Sequence, residues 1–243
     1  GKLKMLMCLR IKIAGLAVIL FSVSACKKNN TVFREISSSE SGIDFNNKLN
    51  YTDSLTVLDF EYMFNGAGVA LCDINNDGLQ DVLFTGNMVA ARLYLNKGNL
   101  TFEDITEKSG LKAEGWCYGI AVVDINQDGY QDFYICKSGN KNTPALQRRN
   151  YFFINNGLSP SPNGEGRGEV TFTESAAKMG LDDDGYDVQA AFFDYDKDGD
   201  LDMYLMRNSF VSYNRNNARE MKSDMETSST TDKLFRNDGP VVS

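Results

Sequence analysis

The apolar positions of this chain fall into short runs separated by acidic or glycine-containing stretches. Three runs, 66–72, 118–123 and 188–193, are apolar at nearly every position (GAGVALC, YGIAVV, VQAAFF). Runs of this length, rich in β-branched and aromatic residues, predict strands covered on both faces. A second set, 82–87, 133–138 and 203–208, follows each of them after a nine-residue acidic stretch. Further strand-like runs flank Lys-Gly or Asn-Gly turns: Arg92 to Thr106, then Asn150 to Gly157 with Val170 to Ser175. Such turns favour hairpins. A short link after each hairpin ends in Gly-Leu, at Gly110-Leu111 and Gly180-Leu181. Four antiparallel strands in a repeated unit of roughly 50 residues describe a β-propeller blade. The expected fold is therefore all-β, an incomplete arc of about three blades. The units run about 66–111, 115–181 and 186–243, and the last is truncated.

The acidic stretches are near-copies. Asp73 begins DINNDGLQD, Asp124 begins DINQDGYQD and Asp194 begins DYDKDGDLD. Side-chain oxygens stand at positions 1, 3, 5 and 9, and glycine at position 6 permits a sharp turn. These are Asp73, Asn75, Asp77 and Asp81; Asp124, Asn126, Asp128 and Asp132; Asp194, Asp196, Asp198 and Asp202. All-oxygen sets of this kind suit a hard cation, and calcium takes six to eight oxygens where magnesium keeps several waters. An EF-hand is excluded, because position 12 of each stretch is Phe84, Ile135 or Leu205 and not glutamate.

The residues resemble FG-GAP/VCBS repeat proteins, whose repeats also build the integrin α-chain propeller. The resemblance covers about 66–243, and Phe64-Asn65-Gly66-Ala67-Gly68 is close to the name-giving motif. The phrasing LYLN-KG, TFEDIT, GL is similar to a bacterial lipoprotein branch related to cartilage acidic protein and ASPIC/UnbV proteins. The resemblance implies three calcium sites, with the backbone carbonyls of Leu79, Tyr130 and Asp200 completing the ligand sets. A polar insert at 209–232 departs from the pattern.

The amino-terminal segment has another character. A basic stretch ends at Lys12, and an apolar run follows from Ile13 to Val23. That run is too short for a membrane span, which needs about 20 residues, but it suits an export signal. Val23-Ser24-Ala25-Cys26 resembles a bacterial lipobox, which implies a signal peptide at 1–25, lipidation of Cys26 and a tether at 26–31. Val32 to Ile43 is similar to Thr101–Leu111 and Thr171–Leu181. It is expected to supply a strand about 32–43, the fourth of a blade whose other strands lie far along the chain.

Charge and composition narrow the partners. The chain has no histidine, which removes histidine bases and histidine metal ligands. Beyond residue 25 it carries 21 basic and 33 acidic residues. So acidic a surface repels phosphate backbones, and nucleic acid is not an expected partner. Cys72, Cys117 and Cys136 sit within apolar runs and read as small buried hydrophobes. Trp116, Tyr118 and Tyr186 either pack between blades or face a sugar. The expected function is a lipid-anchored, calcium-binding module at the bacterial cell envelope, contacting the membrane only through its lipid. It would bind a protein or glycan ligand; the alternative is a propeller enzyme acting on polysaccharide, with its catalytic residues largely outside this fragment.

Overall fold

The structure is a computed structural model that describes residues 31–50, 60–140, 142–160, 168–208 and 231–239. The expected signal, Cys26 and most of the 209–232 insert lie outside the described residues. Among those described, no helix is long and apolar enough to cross a membrane. The chain forms two compact units, Gly1–Ile36 and Ser37–Ser243. In the first, residues 31–36 form no strand.

The described residues of the second unit form three antiparallel sheets. The first sheet has β1 (Val69–Cys72), β2 (Asp81–Phe84), β3 (Arg92–Asn96) and β4 (Phe102–Asp104), in that order. The second repeats it with β5 (Cys117–Val123), β6 (Asp132–Lys137), β7 (Tyr151–Leu158) and β8 (Val170–Glu174). The third has β9 (Asp187–Phe193), β10 (Asp202–Arg207) and β11 (Lys233–Phe235). Consecutive strands are neighbours throughout, as in propeller blades. Cys72 pairs with Asp81, Val123 with Asp132 and Phe193 with Asp202, so each acidic loop closes the first strand pair of its sheet.

The sheets pack face to face. One layer buries Ala70, Cys72, Leu83 and Leu93 of the first sheet against Ile120, Phe133, Ile135 and Phe153 of the second. The next buries Ala121, Val123, Tyr134, Cys136 and Phe152 against Ala190, Met203 and Leu205 of the third. First strands of successive sheets approach closely, which requires glycine just before β1 and within β5. A Cβ on Gly68 would lie 2.3 Å from the Tyr118 carbonyl oxygen, and one on Gly119 would lie 2.4 Å from that of Val188.

Short links follow the fourth strands: α2 (Thr106–Ser109) after β4 and α4 (Ala176–Met179) after β8, while α3 (Ala145–Arg148) precedes β7. An equivalent turn, α1 (Ser38–Ser41), is capped at its start by the Ser37 hydroxyl and closed by Gly42 at φ 81°. It corrects the strand expected over 32–43. The repeat similarity there resides in the link, because a capping serine and a left-handed glycine impose a helical turn locally. A strand exists only through a partner, and residues 31–37 have no strand pairing.

The outer sheets correct a second expectation. β5 is covered on both faces, but β1 alternates exposed and buried positions and β9 is open along one face. Phe193, Tyr204, Met206 and Leu234 are 42%, 42%, 44% and 53% exposed. Their counterparts in the second sheet, Val123, Tyr134, Cys136 and Phe152, are at most 7% exposed. The difference is a neighbour: the third sheet covers the second, and no described sheet covers the third. All-β architecture with this stacking is that of a partial β-propeller.

Candidate metal centre

All three acidic loops adopt one backbone course. The fourth residue is left-handed in each, at φ 55° for Asn76, 56° for Gln127 and 65° for Lys197. The sixth is glycine at φ 84°, 87° and 99°. The first aspartate organises the turn. In the first loop Asp73 accepts the N–H of Asp77 at 2.9 Å on Oδ1 and that of Gly78 at 2.7 Å on Oδ2. Asp124 repeats this with Asp128 and Gly129, at 3.0 and 2.9 Å. Asp194 takes Lys197 at 2.6 Å and Gly199 at 3.2 Å. The fifth residue then accepts the N–H of the seventh: Asp77 from Leu79, Asp128 from Tyr130 and Asp198 from Asp200, all within 3.0 Å.

The ninth aspartate is the most enclosed member. Asp81, Asp132 and Asp202 are at most 1% exposed. Each accepts a backbone N–H from inside its loop and another from an asparagine in or just after the third strand. The partners are Ile74 and Asn96, Ile125 and Asn155, and Tyr195 and Asn237, at 2.7 to 3.1 Å. A carboxylate offers about four lone-pair sites, so these bonds leave capacity for a cation. Burial pushes Asp81 and Asp132 up to about 6, opposed by those backbone N–H groups and reinforced by the neighbouring loop carboxylates.

Asn96, Asn155 and Asn237 were not singled out from the sequence. Their signal is a shared Asn-x-Gly, in which the side-chain oxygen accepts the glycine N–H at 2.9, 2.9 and 3.4 Å. The turn they build supplies the N–H that holds the ninth aspartate.

The donor set fits a hard cation. Carboxylate oxygens of Asp194, Asp196 and Asp202 lie within 4.8 Å of one another. Partial desolvation and the charges of Asp198 and Asp202 hold Asp196 above the usual carboxylate range, a penalty that a bound cation would reverse. In the first two loops asparagine takes the third position, and its amide nitrogen faces the fifth carboxylate. Asn75 donates to Asp77 at 3.1 Å and Asn126 to Asp128 at 2.8 Å. The Oδ1 of the same amides is the atom a cation would meet. The carbonyls of Leu79, Tyr130 and Asp200 follow the sixth-position glycine of each loop.

Other candidate chemistry is committed to packing. Trp116 and Tyr118 are buried with Phe60 and Met63 and present no sugar platform. Arg148 lies 4.5 Å over the Tyr186 ring and donates to the Asp184 carbonyl at 3.0 Å. Arg149 pairs with Asp182 at 2.9 Å. Cys72, Cys117 and Cys136 are buried and unbridged, and burial pushes the Cys117 thiol up to about 12. A cleft of about 350 Å³ beside the first loop is lined by Asp77, Lys97, Glu103, Lys108 and Glu169 among others. Its Glu103 pairs with Lys108 at 2.8 Å and Lys97 at 3.5 Å. The bond from Lys108 holds its carboxyl below the usual range, the wrong state for a proton donor.

At the end of the third sheet opposite its loop lies a buried ionic group, also unforeseen. Arg207 donates to Asp187 at 2.8 Å and bonds Asp183, which also takes Lys233. Asn150 donates to Asp187 at 2.7 Å.

No curated protein matches the chain. The stretch from the first residue of the first acidic loop into β6, residues 73–135, matches the FG-GAP-like repeat.

Proposed function

We propose that the chain is an exported, lipid-anchored, calcium-binding β-propeller module that binds a protein or glycan ligand at a bacterial cell surface. One observation carries the calcium reading: three loops of one geometry, each concentrating oxygen donors at the same positions, with three carboxylates of the third loop converging. Crowding like charges so closely is repulsive, and a divalent cation offsets it. Calcium is favoured over magnesium because the loops offer many oxygen donors, where magnesium keeps several waters in a near-octahedral site. The anchor rests on the apolar run before Val23-Ser24-Ala25-Cys26. The step from a repeat fold to adhesion is an analogy of architecture.

Calorimetric titration tests the metal. Three equivalents of calcium are expected, and Asp128→Ala is expected to remove one. An unchanged stoichiometry in that variant would sink the assignment. A glycan and protein binding screen, run in calcium and in chelator, then tests the ligand role; hits insensitive to both metal and loop variants would argue against it. Intact mass of the membrane fraction is expected to show a lipid adduct on Cys26. Export without lipid would remove the anchor from the proposal.

A further inference from the structure

The three loops are joined to one another by hydrogen bonds that run in one direction. Asn76, the fourth residue of the first loop, donates its Nδ2 to the carbonyl of Gly129 in the second loop at 3.0 Å. Gln127, the fourth residue of the second loop, donates its Nε2 to the carbonyl of Gly199 in the third at 2.9 Å. The donor in each case sits between two proposed ligands of its own loop: Asn75 and Asp77, or Asn126 and Asp128. The acceptor also sits between two proposed ligands, Asp128 and Tyr130, or Asp198 and Asp200. Each bond therefore ties the ligand-bearing turn of one loop to that of the next.

The first junction carries more. The N–H of Asp73 donates to Gln131 Oε1 at 3.1 Å. Asn155 Nδ2 donates to the Ile74 carbonyl at 2.9 Å while its own N–H holds Asp132 at 2.8 Å. The first two residues of the first loop and the last two of the second are thus one bonded assembly. The equivalent Asn237 of the third sheet turns its Nδ2 to Leu201 in its own loop, at 3.4 Å.

From this geometry we infer that calcium binding to the first and second loops is coupled, and that the third loop is coupled to them more weakly. The inference rests on the calcium reading of the loops. Ordering one loop around a cation positions the peptide that carries a ligand of its neighbour, so the second ion meets a turn already arranged. Removing rotational freedom once for two ions is a source of positive cooperativity. Linkage makes the effect reciprocal, and a coupling of ordinary size changes affinity about fivefold or more.

Full-length chains carrying Asp198→Ala isolate the first pair of sites in calcium calorimetry. Adding Asp128→Ala leaves the first loop alone, and Asp77→Ala leaves the second alone. The two-site protein is expected to bind calcium about fivefold or more tightly, overall, than the two single-site affinities multiply to. Asn76→Ala, whose side chain is exposed, is expected to keep both ions and reduce that factor, with further loss on adding Gln131→Ala. In chains with the third loop intact, Gln127→Ala is expected to have the smaller effect. Two ions that bind independently, or coupling that survives Asn76→Ala and Gln131→Ala together, would overturn the inference and leave the calcium sites standing. An absence of calcium binding at every loop would overturn both.

Discussion

Arg207→Met is expected to lower the stability of the second unit by about 3–5 kcal/mol, the usual cost of removing one partner of a buried ion pair. The guanidinium donates to Asp187 at 2.8 Å and also bonds Asp183. Both acids have side chains at most 7% exposed, and methionine fills the volume without the charge. Two buried carboxylates would then be left with Asn150 on Asp187, and with Lys233 and the Gly185 N–H on Asp183. The loss depends on pH in a defined sense. Burial already pushes Asp187 up to about 7, against the hydrogen bond from Asn150. A carboxyl whose folded pKa exceeds its unfolded value, about 3.9, holds its proton more tightly when folded. Its penalty is absent below the unfolded value, grows as pH rises from there to the folded value, and levels off above it. Removing the cation raises that folded value further, so the variant loses more at pH 8 than at pH 5. Urea unfolding at the two pH values checks this. A loss below about 1 kcal/mol, or one equal at both, would show that the group is more solvated than its burial implies.

Calcium at one hundred times its Kd is expected to add about 2.7 kcal/mol for each loop taken alone, so about 8 kcal/mol for three before any coupling between them. Extracellular calcium modules bind with Kd on the order of 0.1–1 mM, so the full gain needs tens of millimolar calcium. At lower occupancy the gain is smaller, and a chelator returns the thermal midpoint to its starting value. Stabilisation is expected to act through the enclosed ninth aspartates, because Asp81, Asp132 and Asp202 each join a loop to an asparagine in or just after the third strand of the same sheet. Magnesium at equal concentration is expected to raise the midpoint less. A midpoint indifferent to calcium would leave the loops as polar turns.

Part of the protein is decided by its sequence alone. Strand order follows from apolar runs separated by a constant nine-residue loop, and the loop's shape follows from Asp73, Gly78 and their copies. Both are short-range properties: a glycine at left-handed φ and a carboxylate accepting N–H groups four and five residues ahead need no distant partner. That is why the blades, the loops and their candidate ligands were legible, and why α1 was mistaken for a strand where only a short capping pattern distinguished the two. Other features exist only once sheets stack. Asn155 reaches Ile74 across 81 positions and Asn76 reaches Gly129 across 53, so the coupling of loops has no signature in either segment. Arg207 became the centre of an ion group because Asp183, Asp187 and Lys233 converge at one end of the third sheet. Trp116 and Tyr118 became core because Phe60 and Met63 cover them. Burial of Val123 and exposure of Phe193, at equivalent positions in near-identical contexts, depends on whether another sheet lies above. The chain's local pattern specifies each blade, but a face is interior or surface only by virtue of its neighbour.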